Sequence, residues 1–333
     1  MYLDFFGLHE KPFSIAPDPR YLYMTDQHRE ALAHLLFGIG DEGGFVLLTG
    51  EIGTGKTTVC RSLLDQLPGN ADVAYIINPR LSASELLESI CHELAIDYSE
   101  GSSVKALVDR INQFLLEAYA AGKNVILIID EAQNLADEVL EQLRLLTNLE
   151  TSEKKLLQLI LLGQPELRQR LALPNLRQLA QRVTARFHLR PLSSKETEVY
   201  IKHRLHVAGY RGELFSRAAL KCIYSESRGV PRLINVICDR AMLGAYTSEQ
   251  FVIEYPLVLA ACAEVLGIPP QGRPSSLSAI ARASLWFLLL SSLAAAVYFS
   301  ELGAWFSLLL QSLQLNSSPA LAGSSGNVLP VIG

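Results

Sequence analysis

The feature that most restricts what this chain can fold into is GEIGTGKTT, Gly50–Thr58, set between an apolar run, GFVLLTG, and a stretch of helical spacing. It satisfies Gly-x4-Gly-Lys-Thr through Gly50, Gly55, Lys56 and Thr57. Such a turn at the mouth of a strand folds its backbone around phosphates, with amide N–H groups pointing inward and the next helix adding its positive end. Gly50, Gly53, Thr54, Gly55, Lys56, Thr57 and Thr58 are therefore the expected nucleotide-binding residues, Lys56 reaching the β- and γ-phosphates and the Thr57 hydroxyl ligating Mg²⁺.

Strand-like runs follow the turn: VAYIIN, NVILIID, LLQLILLG and RFHLRPL, separated by longer helical patterns. Short apolar strands alternating with helices define an α/β domain with a mostly parallel sheet covered on both faces. Two helices precede the third strand, one opened by Ser82 and Glu85 in capping-box spacing, which Ser193 and Glu196 repeat beyond Pro191. From about 193 to 266 only helical periodicity remains, so an all-helical lid is expected there.

The third strand ends in Asp130-Glu131, 73 residues after Thr57. A carboxylate there can hold magnesium together with Thr57, and its neighbour can orient or deprotonate an attacking water. Hydrolysis of ATP, with Mg²⁺, is the implied reaction. A polar side chain at the end of a buried parallel strand faces the ligand crevice, which makes Gln164 a further candidate. Arg232 stands in the first turn of a helix, against the dipole, which suggests that it serves an anion.

A net charge of −5 with 19% charged residues fits a globular protein and gives no basic tract, so nucleic acid is not expected as a partner. Five scattered cysteines and seven histidines show no metal-ligand spacing and read as reduced core thiols and ordinary polar positions.

The succession GEIGTGKTT, VILIIDEAQNL, LLQLILLGQPEL and GVPRLIN resembles the AAA+ ATPases. The opening FFGLHEKPFSIAPDPRYLY with HREALAHLLFGI is similar to one branch, the general secretion pathway protein A family and its type IV (MSHA-type) pilus relatives, over about residues 1–268. The resemblance implies that Gln164 is the polar sensor at the γ-phosphate or water and Arg232 the second sensor, reaching from the lid. It also implies a ring of copies in which each subunit lends an arginine to the next. Arg182 and Arg186 are the candidates for it, Arg182 preferred. Phe13 and Tyr21 are expected to pack in a core or interface rather than against the base.

The divisions expected are a lead-in and helix over 1–40, the P-loop domain over 41–192, the lid over 193–268 and a linker over 269–282. A transmembrane helix over 283–302 and a short, largely disordered tail over 303–333 follow. The span rests on Ala283–Ser300, without a formal charge, on Arg273 and Arg282 before it, and on the absence of Lys or Arg after it. It places the chain in the bacterial inner membrane, the ATPase domain cytoplasmic and the C-terminus periplasmic, in contact with the lipid bilayer.

The function these features imply is an ATPase that drives or regulates assembly of a type II secretion system or related pilus. Its expected partners are further copies of itself, a small inner-membrane secretion protein, and secretin or pilus machinery. The peptidoglycan-binding domain of longer family members is not carried by these residues. Two alternatives are a DNA-transaction ATPase of the transposition-helper kind and a nucleotide-gated membrane scaffold with little turnover.

Overall fold

The computed structural model describes residues 2–267 except 17, 40–43, 78–79 and 152–154, together with isolated helical positions between 284 and 310. The chain divides into two units, 1–270 and 271–333.

Unit 1 is built on five strands: β1 (Phe45–Gly50), β2 (Ala71–Ile76), β3 (Asn124–Ile129), β4 (Leu157–Gly163) and β5 (Val183–Leu189). Their order is β2-β3-β4-β1-β5, and every neighbouring pair is parallel. The three central strands are buried almost throughout, as expected of a sheet covered on both faces.

Alternate residues feed two cores, because side chains of a strand point to opposite faces. Leu47, Leu127, Ile129, Leu159 and Leu161 face one cluster, which α4 (Ala83–Glu93), α5 (Val104–Ala120) and α6 (Asp137–Leu146) complete. Val46, Leu48, Ile126, Ile128, Ile160 and Leu162 face the other, covered by α2 (Asp26–Gly38) and α3 (Lys56–Leu64). Both capping boxes form: Ser82 and Glu85 open α4, and Ser193 and Glu196 open α9 (Ser194–Val207).

After β5 the chain is helical, through α9, α10 (Arg217–Ser227), α11 (Pro231–Thr247) and α12 (Tyr255–Leu266). Their apolar faces enclose a third core that also takes in Tyr2, Phe6, Leu8, Phe13 and Tyr21 of the lead-in. The N-terminal segment thus packs with helices that follow it by some two hundred residues. Arg204 of α9 fastens it: the buried guanidinium donates to the carbonyls of Pro12 at 2.5 Å and Ser14 at 3.0 Å and lies 4.8 Å from the Tyr21 ring centre.

The joint between sheet and lid depends on Gly229. Its φ is +75°, and an added Cβ would lie 1.9 Å from the carbonyl oxygen of Leu192, whose N–H donates to Gly229 O at 2.9 Å. Pro231 then occupies the first turn of α11, where its missing N–H costs nothing.

The membrane-spanning helix expected over 283–302 is not upheld. Among the described residues no helix is long and apolar enough to cross a membrane. Of that stretch only positions 284, 286–288 and 290–292 are described, and they are helical. An uncharged apolar sequence is a necessary sign of a span and not a sufficient one. The single-pass inner-membrane placement, its cytoplasmic and periplasmic sides and the bilayer contact fall with it. The remaining positions of 283–302, the linker 269–282 and most of the tail 303–333 lie outside the described residues.

Candidate nucleotide site

The ends of β1, β3 and β4 lie side by side, which brings GEIGTGKTT, Asp130-Glu131 and Gln164 to one edge of the sheet, where open α/β folds bind ligands. The loop turns from β1 into α3 through Gly53 (φ +80°) and Gly55 (φ +105°). At Gly53 the close neighbour is Arg232: a Cβ would stand 2.6 Å from the Arg232 Cβ, and the Arg232 N–H points to Gly53 O at 3.4 Å. Arg232 is exposed on the first turn of α11 and lines the same cavity as the loop.

Lys56 is 5% exposed, and its ammonium donates to the carbonyls of Gly50 at 2.8 Å and Glu51 at 3.1 Å. Burial pushes its pKa down, while Glu131 and Asp130 nearby work in the opposite direction. A buried cation satisfied only by neutral carbonyls is electrostatically prepared for an anion.

The Thr57 hydroxyl donates to Asp130 Oδ2 at 2.9 Å. Asp130 is buried and accepts two more bonds, from Tyr75 OH at 3.2 Å and the Glu131 N–H at 2.8 Å. These three donors leave its carboxylate one orientation, toward the start of α3. Burial raises the pKa of Tyr75, with Asp130 reinforcing it, so the phenol stays a donor at any physiological pH.

Glu131 adopts a left-handed backbone, φ +53°. Its Oε2 accepts from Gln133 Nε2 at 2.5 Å and Gln164 Nε2 at 3.2 Å. Gln164, immediately after β4, thus meets Glu131 directly. Thr54 is buried and ties the loop to itself through Glu51 O at 2.8 Å, while Thr58 is exposed in the first turn of α3.

The cavity in front of these groups measures about 450 Å³ and extends from Lys56 and Thr57 between Ser14, Asp18 and Tyr23 of the lead-in and Tyr200 and Asn235 of the lid. His28 lines it too, its Nε2 donating to Thr54 O at 3.2 Å while Nδ1 accepts from Thr25 Oγ1 at 2.5 Å. Burial holds its pKa below the usual value, which favours the neutral ring with these roles.

Lys56, Thr57, Asp130, Glu131, Gln164 and Arg232 therefore gather around one edge of the sheet. Arg182 does not: its guanidinium bonds to Arg144 O at 3.3 Å, Thr147 Oγ1 at 3.1 Å and Asn148 Oδ1, and it does not line the cavity. Arg186 donates to Ala180 O at 2.5 Å. Tyr75, His28 and Gln133 were not singled out by sequence. Gln133 is signalled only by its place in DEAQ, while Tyr75 and His28 carry no local signal at all. Among the described residues no group of three or more His, Cys, Asp or Glu side chains could hold a metal ion by itself.

Residues 39–171 match the family model described as AAA domain. With the parallel sheet and the phosphate loop just described, these residues form an AAA domain on the P-loop NTPase fold. General secretion pathway protein A of Aeromonas hydrophila is 54% identical to it over 272 residues, 82% of this chain and 50% of that protein. The chain is a homologue of that protein and spans about half of its length.

Among solved structures, Drosophila ORC bound to DNA aligns with a TM-score of 0.59 at 22% identity, over 77% of this chain and 64% of that one. Cdc6p from Pyrobaculum aerophilum aligns with a TM-score of 0.58 at 20% identity, over 73% and 67%. The Aeropyrum pernix ORC2 protein in its ADPNP-ADP complexes aligns with a TM-score of 0.57 at 20% identity, over 77% and 71%. At these identities the likeness is one of fold.

Proposed function

We propose that the chain hydrolyses ATP with Mg²⁺ and uses the turnover to drive or regulate assembly of a secretion system or related pilus. The observation that carries the catalytic half is the Thr57 hydroxyl bonded to the Asp130 carboxylate at 2.9 Å, with Glu131 beside it and a buried Lys56 beneath. The secretion half is supported by the 54% identity to general secretion pathway protein A, of which the chain spans half.

In this reading Lys56 and the loop N–H groups hold the β- and γ-phosphates, and Arg232 reaches them from the lid. Thr57 and Asp130 hold magnesium, which when bound draws charge from the phosphate oxygens. Glu131 orients and deprotonates the attacking water, and Gln164 senses the γ-phosphate. The lead-in and lid wall the cavity on two sides and bury Lys56, where electrostatic contacts are stronger than in water. A second copy completes the site with an arginine, Arg182 or Arg186, each of which would have to leave the intrachain bonds described above. Secretion proteins, secretin or pilus components are the proposed partners of the assembled ring.

The experiment is turnover by the full chain, compared with Lys56→Ala and Glu131→Gln, followed by identification of what co-purifies with the Glu131→Gln chain in the presence of ATP. Magnesium-dependent turnover abolished in both variants, with secretion or pilus proteins recovered, supports the reading. Absent turnover would sink the catalytic half, and recovery of DNA and recombination proteins would sink the secretion half.

A further inference from the structure

We infer that Gln133 is a positioning residue that joins Glu131 to Gln164, so that the base and the sensor respond to the nucleotide as one unit. The inference rests on the ATPase reading above and adds a residue to it.

Gln133 lies in a single turn of 3-10 helix, Ala132–Asn134, directly after Asp130-Glu131. Its side-chain amide has a donor end and an acceptor end, and both are used on different elements. Nε2 donates to Glu131 Oε2 at 2.5 Å, and Oε1 accepts the main-chain N–H of Gln164 at 3.0 Å. The circuit closes because Gln164 Nε2 donates to the same Glu131 oxygen at 3.2 Å. No other neutral side chain of that length offers a donor and an acceptor in fixed opposition.

The surroundings hold the turn still. Arg170 Nη1 donates to Gln133 O at 2.9 Å and Leu135 O at 2.7 Å, and Arg170 also pairs with Asp137. Gly163 leaves the space: a Cβ there would stand 3.2 Å from Gln133 Oε1. The left-handed backbone of Glu131 persists only where its surroundings over-determine it, and this circuit is such a surrounding.

Gln133 does not line the cavity, whereas Glu131 does. It therefore acts through Glu131 rather than on the nucleotide. A group that draws Gln164 toward the cavity pulls on Gln133 through the Gln164 N–H and withdraws one of the two donors from Glu131 Oε2. Gln133 Nε2 is then the donor that keeps the carboxylate aimed while the sensor is engaged.

The test uses the full chain with Gln133→Met, which keeps the volume and loses both bonds, and Gln133→Glu, which can still accept from Gln164 N–H but repels Glu131. Steady-state ATP turnover and the Kd of a fluorescent ATP analogue are measured for each, alone and combined with Gln164→Ala. The expected result is a fall in kcat on the order of 10–100-fold with Kd changed less than about twofold. Little further loss is expected when Gln133→Met is added to Gln164→Ala, because the two act on one oxygen.

Turnover within about threefold of the parent, a parallel loss of nucleotide affinity, or full additivity with Gln164→Ala overturns the inference. If the Gln133→Met chain does not fold, the isosteric Gln133→Glu chain decides by the same readouts. Failure of the underlying reading looks different: the unaltered chain does not turn over, or Glu131→Gln turns over as the parent does.

Discussion

Thr57 and Asp130 lie 73 residues apart in sequence, and their side chains meet in a 2.9 Å hydrogen bond across the ends of two strands that are not neighbours in the sheet. β4 separates β1 from β3, and the contact is made by the first turn of α3, to which Thr57 belongs. Replacing Asp130 with Asn keeps the shape and removes the charge that magnesium would meet. Affinity for Mg²⁺-ATP is expected to fall by at least about tenfold, while affinity measured in EDTA changes little. Fluorescence titration under both conditions checks it, and equal losses in the two would point to a folding defect instead.

Glu131→Gln should separate binding from chemistry. It removes the base while leaving Lys56, Thr57 and Asp130 in place, so kcat is expected to drop by about 10²–10⁴-fold with nucleotide affinity retained. Single-turnover assays with radiolabelled ATP measure the step directly. A chain that hydrolyses at the parental rate would show that Glu131 is not the base.

His28 predicts a pH dependence of stability. Burial lowers its pKa from the ordinary 6.5, so the unfolded chain takes up a proton at a pH where the folded one does not. The contribution is present above about pH 6.5 and is lost as pH falls below it, down to the folded value. His28→Gln can keep a donor toward Thr54 O but cannot titrate. Thermal melts from pH 8 to 5 should show a shallower decline for that variant than for the parent.

Arg204 should be worth more than a surface arginine, because it joins the lead-in to the lid in a buried setting. Arg204→Ala leaves the Pro12 and Ser14 carbonyls without their donor and is expected to cost about 2–4 kcal/mol. Denaturant titration reports the loss. A cost near that of an exposed residue would mean the lead-in is held by its other contacts, the aromatic rings and the Tyr2–Asp239 bond among them.

At the joint between sheet and lid, Gly229→Ala meets both an unfavourable φ of +75° and a carbonyl oxygen 1.9 Å from the new Cβ. Backbone displacement is unavoidable there, and a loss of about 3 kcal/mol or more is expected. Gly212, at a conventional φ with its nearest neighbour 3.4 Å away, serves as a control in which Ala should change little.

Much of the sheet and the phosphate loop is readable from residues alone, because both are written locally. A buried parallel strand is an uninterrupted apolar run, and GEIGTGKTT needs only its own glycines and lysine to be recognised. What escapes is written across distance. Tyr75 looks like any aromatic in a strand, yet its hydroxyl reaches Asp130, 55 residues on. The lead-in's tyrosines and phenylalanines find their partners in α9 to α12, and no spacing near residue 13 announces that. The apolar stretch after residue 283 stands differently: its composition satisfies the requirement for a span, yet among the described residues no helix is long and apolar enough to cross a membrane.

The packing of the lead-in among lid helices also sets a schedule for the chain's birth. Tyr2 bonds to Asp239, 237 residues downstream, and at 5–20 residues per second that interval takes a ribosome about 10–50 s. During that time the lead-in residues, rich in aromatic rings, lack their native partners in the lid. The sheet can assemble while they wait, so a segment made before the sheet is placed after it, and it needs shielding until α11 arrives.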